Sequence, residues 1–231
     1  MKQYKVGMIR VLTTDDPALL QLHGQLIEKY YPMLKVDSRC IPDQPNGIHD
    51  DDTMAIAEPK IIELAKEMYA DGYEAIIISC AGDPAIAQVR EAVPIPVIGA
   101  GASTAAISLF FGDYPAALGI TADIPTGFER VFGEKTVGSA RGDDVLDVNA
   151  LMTARGYQAT ATAAQGLKNA GADVIALSCT GMSTIEIAPQ LEKDLGIPVI
   201  DPVMCEGLIT LFTLLRKDFE NESDQSQYID S

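Results

Sequence analysis

Val174-Ile175-Ala176-Leu177-Ser178-Cys179-Thr180-Gly181-Met182 and Ala75-Ile76-Ile77-Ile78-Ser79-Cys80-Ala81-Gly82-Asp83 are two versions of one phrase. Each opens on a short apolar run with β-branched side chains, the composition of a strand buried on both faces. Each closes on Ser-Cys, a small residue and a glycine, followed by a helix-like stretch, Ile185 to Leu195 in one and Pro84 to Glu91 in the other. A cysteine so placed stands where a parallel strand ends, facing the crevice in which open α/β sheets bind ligands. It is also expected to face free N–H groups of a helix N-terminus, which hold anionic or carbonyl oxygens and lower a thiol's pKa.

Working outward, the two phrases belong to a longer internal repeat. Gly72 and Gly171 each precede their cysteine by eight positions, and Pro94-Ile95-Pro96-Val97-Ile98-Gly99 answers Gly196-Ile197-Pro198-Val199-Ile200-Asp201. Val6-Gly7-Met8-Ile9 opens the first half much as Leu118-Gly119-Ile120-Thr121 opens the second. Strand and helix patterns alternate throughout, which predicts α/β architecture: two pseudo-symmetric lobes, each a parallel sheet flanked by helices, with a cleft between them. The expected division is a first lobe over 1–100, a second over 101–204, and an acidic, poorly apolar tail over 218–231 read as disordered.

The chain has 231 residues, 47% of them apolar, enough for a substantial core. Its formal net charge of −16 repels phosphate backbones and anionic lipid, which argues against nucleic-acid and membrane partners. Without a signal-like segment or an apolar run of membrane-spanning length, a cytoplasmic protein is expected, acting on a small molecule as a homo-oligomer. The four cysteines, Cys40, Cys80, Cys179 and Cys205, form no C-x-x-C pair and are read as reduced thiols.

Tyr4 to Val11 reads as the first strand, and Asp16-Pro17 signals a helix reaching Tyr31-Pro32. Leu34 to Cys40 reads as the second strand, and Ile41 to Asp52, with two prolines and Gly47, as a loop able to lie over the crevice. A helix follows from Thr53, with Pro59 as a kink or late start. In the second half a short helix is expected over Pro125 to Phe132, a polar stretch over Gly138 to Asp144, a long helix over Leu146 to Asn169, interrupted or weakened at Gly156 and Gly166, and a last helix over Cys205 to Arg216. Gly99-Ala100-Gly101 lacks the third glycine of a dinucleotide fingerprint and is read as a tight strand-to-helix turn.

Other chemistries find few supports. The two histidines are His23, read as a packing or surface residue of the first helix, and His49, before Asp50-Asp51-Asp52. That acidic cluster lacks metal-ligand spacing and reads as a charged loop or helix cap, so no metal site is expected. No lysine occupies a strand end in the repeated blocks, which speaks against pyridoxal phosphate. Two thiols at the same address in two halves point instead to cofactor-free chemistry: a thiolate removes a proton from one face of a carbon acid while a thiol returns one to the other, inverting the centre. Cys80 and Cys179 are the candidate catalytic pair, and Cys40 and Cys205 are assigned to packing.

At these residues the chain resembles the aspartate/glutamate/hydantoin racemase superfamily, over nearly its whole length to about Arg216. Ser178-Cys179-Thr180-Gly181-Met182 is more similar to the cysteine-threonine-glycine-methionine block of hydantoin and allantoin racemases than to the cysteine-asparagine-threonine block of amino-acid racemases. Cys80-Ala81-Gly82-Asp83-Pro84 resembles their first block, and Val199-Ile200-Asp201-Pro202-Val203 their second-half strand end. The resemblance implies a cofactor-independent two-base racemase whose C-terminal helix, over 205–217, returns to the first lobe.

The departure lies at the first strand, where Ile9-Arg10-Val11-Leu12-Thr13 replaces an asparagine-proline-asparagine turn. Arg10 is a candidate partner for a substrate carboxylate, or a member of a surface or inter-lobe salt bridge. The expected activity is racemisation of a 5-substituted hydantoin, with acidic amino-acid racemisation and a catalytically silent ligand-binding protein as alternatives. Expected substrate-binding residues are Arg10, Ala81, Gly82, Asp83, Thr180 and Gly181. The backbone N–H groups of Ala81, Gly82, Thr180 and Gly181 would hold the oxygen on which negative charge develops.

Overall fold

The computed structural model describes residues 2–121 and 123–227. The first half runs β1 (Tyr4–Arg10), α1 (Pro17–Tyr30), β2 (Leu34–Cys40), α2 (Asp51–Ala70), β3 (Ala75–Ser79), α3 (Ile86–Ala92) and β4 (Val97–Gly99), and α4 (Ala100–Ser108) leads out of it. The second half runs β5 (Pro115–Gly119), α5 (Thr126–Phe132), β6 (Gly138–Arg141), α6 (Val148–Leu151), α7 (Ala154–Asn169), β7 (Val174–Leu177), α8 (Gly181–Thr184), α9 (Ile187–Leu195) and β8 (Val199–Ile200), closing with α10 (Pro202–Gln227).

The repeat read in the sequence is a repeat of topology. One sheet has the order β2-β1-β3-β4 and the other β6-β5-β7-β8, all pairs parallel. In each, the chain reverses its direction of winding between the first and third strands, and ligand crevices open outside the carboxyl ends of such strands. Cys80 follows β3 and Cys179 follows β7, so both stand at a switch point. Ile76, Ile77 and Ile78 are fully buried, each contributing about 1.5–3 kcal/mol of transfer free energy, which anchors the strand that delivers Cys80.

Helix α4 packs on β3 and β4 of the first sheet and on β7 and β8 of the second. Its small residues allow that double contact, since Ala100, Gly101, Ser103, Thr104 and Ala105 are buried. The hydroxyls of Ser103, Thr104 and Ser108 donate to the carbonyl oxygens of Gly99, Ala100 and Thr104 at 2.7, 2.6 and 2.7 Å, so none is left unpaired in this dry interface. Helix α10 packs on α1, α4, β3 and β4.

Several local expectations are corrected. The polar stretch after Gly138 contains an edge strand, β6, whose partly exposed Gly-Ser-Ala-Arg sequence carries no apolar alternation to read. The long helix over 146–169 is two helices, because the Thr153 side chain accepts from the Gly156 N–H and caps a new start. The helix expected over Ile185 to Leu195 is α9, and the short α8 precedes it, the two separated at Glu186, whose φ of 48° is left-handed. Helix α2 begins at Asp51, earlier than read, on a capping box between Asp50 and Thr53, and it carries Pro59 within it. The stretch read as a disordered tail is helical through Gln227, helped by an Arg216–Glu220 pair and by Asp218, which accepts from Lys2 Nζ at 2.6 Å and Tyr4 Oη at 2.5 Å. The remaining positions of that stretch, 228–231, lie outside the described residues.

Candidate active site

A cavity of about 550 Å³ opens between the carboxyl ends of the two sheets. One wall is Ser79-Cys80-Ala81-Gly82 after β3 and the other Ser178-Cys179-Thr180-Gly181 after β7, while the segment Asn46 to Asp51, expected to lie over the crevice, forms part of the rim. Cys80 packs against the apolar cluster of the first lobe, which includes Ile9, Ile41 and Ile61. Cys179 packs against that of the second, which includes Leu118, Leu151 and Met182. Each thiol is therefore held by its own lobe, and the space between them is the cleft. The Thr180 hydroxyl crosses it, donating to the Ser79 carbonyl oxygen at 3.2 Å.

A family model described as Asp/Glu/Hydantoin racemase matches residues 19–206. The chain belongs to that family. A hydantoin racemase from Pseudomonas sp. (strain NS671) is 30% identical over 152 residues, which are 63% of this chain and 60% of that relative's length. Allantoin racemase from Klebsiella pneumoniae has the same fold, with a TM-score of 0.76 at 22% identity over 92% of this chain and 89% of its own. So has allantoin racemase from Pseudomonas fluorescens, with a TM-score of 0.77 at 16% identity over 93% and 92%.

In this racemase-family chain the thiols do not have the lowered pKa expected of helix N-termini. Burial pushes Cys80 up to about 12; the Gly82 N–H opposes this, and the charges of Cys179, Asp83 and Glu206 add to it. Burial pushes Cys179 up to about 11, against the N–H groups of Gly181 and Met182. The reason is local: α3 begins only at Ile86, and α8 has four residues, so neither brings a full helix dipole to bear on sulfur. Charge on Cys179 raises Cys80 further, which favours one thiolate facing one thiol.

Asp83 does not line the cleft. Its carboxylate accepts from the N–H groups of Gly101 and Ala102 at 2.8 and 2.7 Å, capping α4 and bracing the Cys80 loop against it. A Cβ on Gly101 would lie 2.2 Å from the Ala81 carbonyl oxygen, so the glycine-rich turn serves close approach of that loop, and the helix N-terminus is filled by a protein carboxylate. Arg10 lines the cleft at the end of β1 but is only 6% exposed, and its Nη1 donates to the carbonyl oxygens of Leu19 and Leu20 at 3.0 and 3.1 Å. Burial lowers its pKa to about 10, opposed by Glu206 and Cys40, so it stays cationic at neutral pH.

The sequence reading passed over Arg141, at the end of β6 in the cleft wall, and the buried Glu206, and it took His23, which is buried, only as a packing or surface residue. Spacing held a signal for the buried pair. His23 stands between Leu20 and Ile27 on the apolar stripe of α1, and Glu206 between Val203 and Thr210 on that of α10. A titratable group on a buried stripe needs partners. His49 lines the rim and lies 3.6 Å from Asp50, which caps α2.

Proposed function

We propose that the chain is a cofactor-independent racemase of a 5-substituted hydantoin. The observation that carries the reading is the arrival of Cys80 and Cys179 in one cleft from equivalent switch points of opposite lobes. The Cys179 thiolate takes the hydrogen from the ring carbon, and the released electron pair moves onto the adjacent carbonyl oxygen. The N–H groups of Ala81, Gly82, Thr180 and Gly181 would hold that oxygen in this reading, with those of Gly82 and Gly181 also serving sulfur. The Cys80 thiol gives its proton to the opposite face, leaving Cys179 as thiol and Cys80 as thiolate, poised for the reverse reaction.

A neutral ring suits the charge of the site. Asp50, Asp51 and Asp123 line the cleft with Arg141, while Arg10 is engaged with backbone carbonyls, so a dicarboxylate would meet more repulsion than attraction. The test is polarimetry on a panel of hydantoin enantiomers with apolar and acidic 5-substituents, beside aspartate and glutamate, with hydrogen exchange followed in deuterated water. Inversion of apolar hydantoins is expected, surviving Arg141→Ala. Activity confined to the free amino acids would overturn the substrate class, and absence of exchange at any substrate carbon would leave a binding protein.

The raised thiols give this reading a pH signature. Below about pH 10 each pH unit raises the thiolate fraction roughly tenfold, so log kcat/KM should climb with pH between 7 and 9.5 at a slope approaching one. A flat profile over that range would show that a thiolate is not the base.

A further inference from the structure

His23 is on the buried face of α1 and is itself fully buried. Its Nδ1 is 3.0 Å from Ser79 Oγ, and its Nε2 is 2.9 Å from Thr184 Oγ1. Ser79 immediately precedes Cys80; Thr184 ends α8, the short helix that starts two residues after Cys179. One imidazole ring thus joins the strand end that carries Cys80 to the short helix that follows Cys179. Burial and the charge of Arg10 hold it well below the usual histidine pKa, so the ring is neutral and carries one N–H.

The partners decide where that hydrogen sits. The Ser79 hydroxyl donates to Glu206 Oε1 at 2.9 Å, the arrangement in which Nδ1–H donates to Ser79 Oγ. Nε2 is then the acceptor, and the Thr184 hydroxyl donates to it. The result is one directed chain, Thr184 to His23 to Ser79 to Glu206, anchored on the buried carboxyl group of α10. Burial pushes the Glu206 carboxyl well above its usual pKa, opposed by the Ser79 hydroxyl and the charge of Arg10.

We propose that His23 is a positioning residue that fixes the separation of the two cysteines across the lobe boundary. This rests on the racemase reading and adds to it what the separate cores do not supply. Each thiol is packed on its own lobe, so the gap between them depends on ties that cross the boundary near the site. His23 to Thr184 and Thr180 to the Ser79 carbonyl are two such ties. Two bases that must reach one carbon from opposite faces tolerate little error, since a misplacement of about 1 Å can cost on the order of 100-fold.

The readout is the ratio of deuterium taken up with retained configuration to deuterium taken up with inversion. If the tie is lost, one thiol still removes the hydrogen while the other is out of reach, so the proton returns to the face it left. His23→Ala should raise that ratio roughly tenfold and lower kcat for inversion roughly 10- to 100-fold, with KM changed less than threefold. Thr184→Val keeps side-chain shape and removes only the hydroxyl, so it tests the same tie should His23→Ala fold poorly. It should shift the ratio in the same direction by a smaller factor, and Thr184→Ser should restore it. An unchanged ratio in folded Thr184→Val, or kcat losses matched by equal losses of retained exchange, would overturn the positioning role. Absence of both exchange and inversion in the unaltered protein would instead remove the racemase reading beneath it.

Discussion

Replacing Cys80 or Cys179 by alanine is expected to stop interconversion of both enantiomers, with turnover falling by roughly 10²–10⁴, the range that a positioned acid or base supplies. The loss is two-sided because each thiol is the base in one direction and the acid in the other. The fold should survive, since both sulfurs open onto the cleft and truncation leaves no large void. Serine in place of Cys179 should leave weak hydrogen exchange from the enantiomer served by Cys80, and the converse variant should favour the other. Chiral chromatography after incubation in deuterated water reads both quantities. Full racemisation by Cys80→Ala would sink the two-base proposal.

Gly181→Val should have the second largest effect, lowering kcat by roughly 10²-fold, the scale of losing an oxyanion donor. Any Cβ at this position would lie 2.7 Å from Val148 Cγ2 and 3.3 Å from the Cys179 sulfur, so the loop or the Val148 side chain has to shift, and valine adds two further methyl groups. A shift of the loop withdraws the N–H groups from sulfur and substrate together. Gly82 is the internal control, because a Cβ there meets the flexible end of Met54 at 3.2 Å and stays 3.8 Å from the Cys80 sulfur. Gly82→Ala should therefore cost far less than Gly181→Ala, and steady-state kinetics of the two alanine variants would decide it. Equal kinetics would argue against a tight oxygen site beside Cys179.

How much of this was legible differs from element to element. The strands before Cys80 and Cys179 were plain because burial on both faces demands continuous apolar runs, and the repeat fixed their equivalence. Strand β6 was hidden, since a short edge strand exposed to solvent needs no apolar code. The break between α6 and α7 depends on which way the Thr153 side chain turns, a choice made by capping geometry. Asp83 looked like a cleft residue from its place beside Cys80, and its carboxylate turns instead to α4, eighteen residues further on.

The sequence by itself determined the α/β class, the doubled architecture and the address of both thiols, because periodicity and repetition are local properties of the chain. Only the tertiary structure decided the electrostatics of the site. Burial raises the thiols against their N–H donors, Arg10 is spent on the carbonyls of Leu19 and Leu20, and His23 meets Ser79 and Thr184. The bonds of Arg10 and His23 join residues 9 to 161 positions apart in the chain, and desolvation depends on everything packed around a group. Neither quantity is written in the spacing of residues along the sequence.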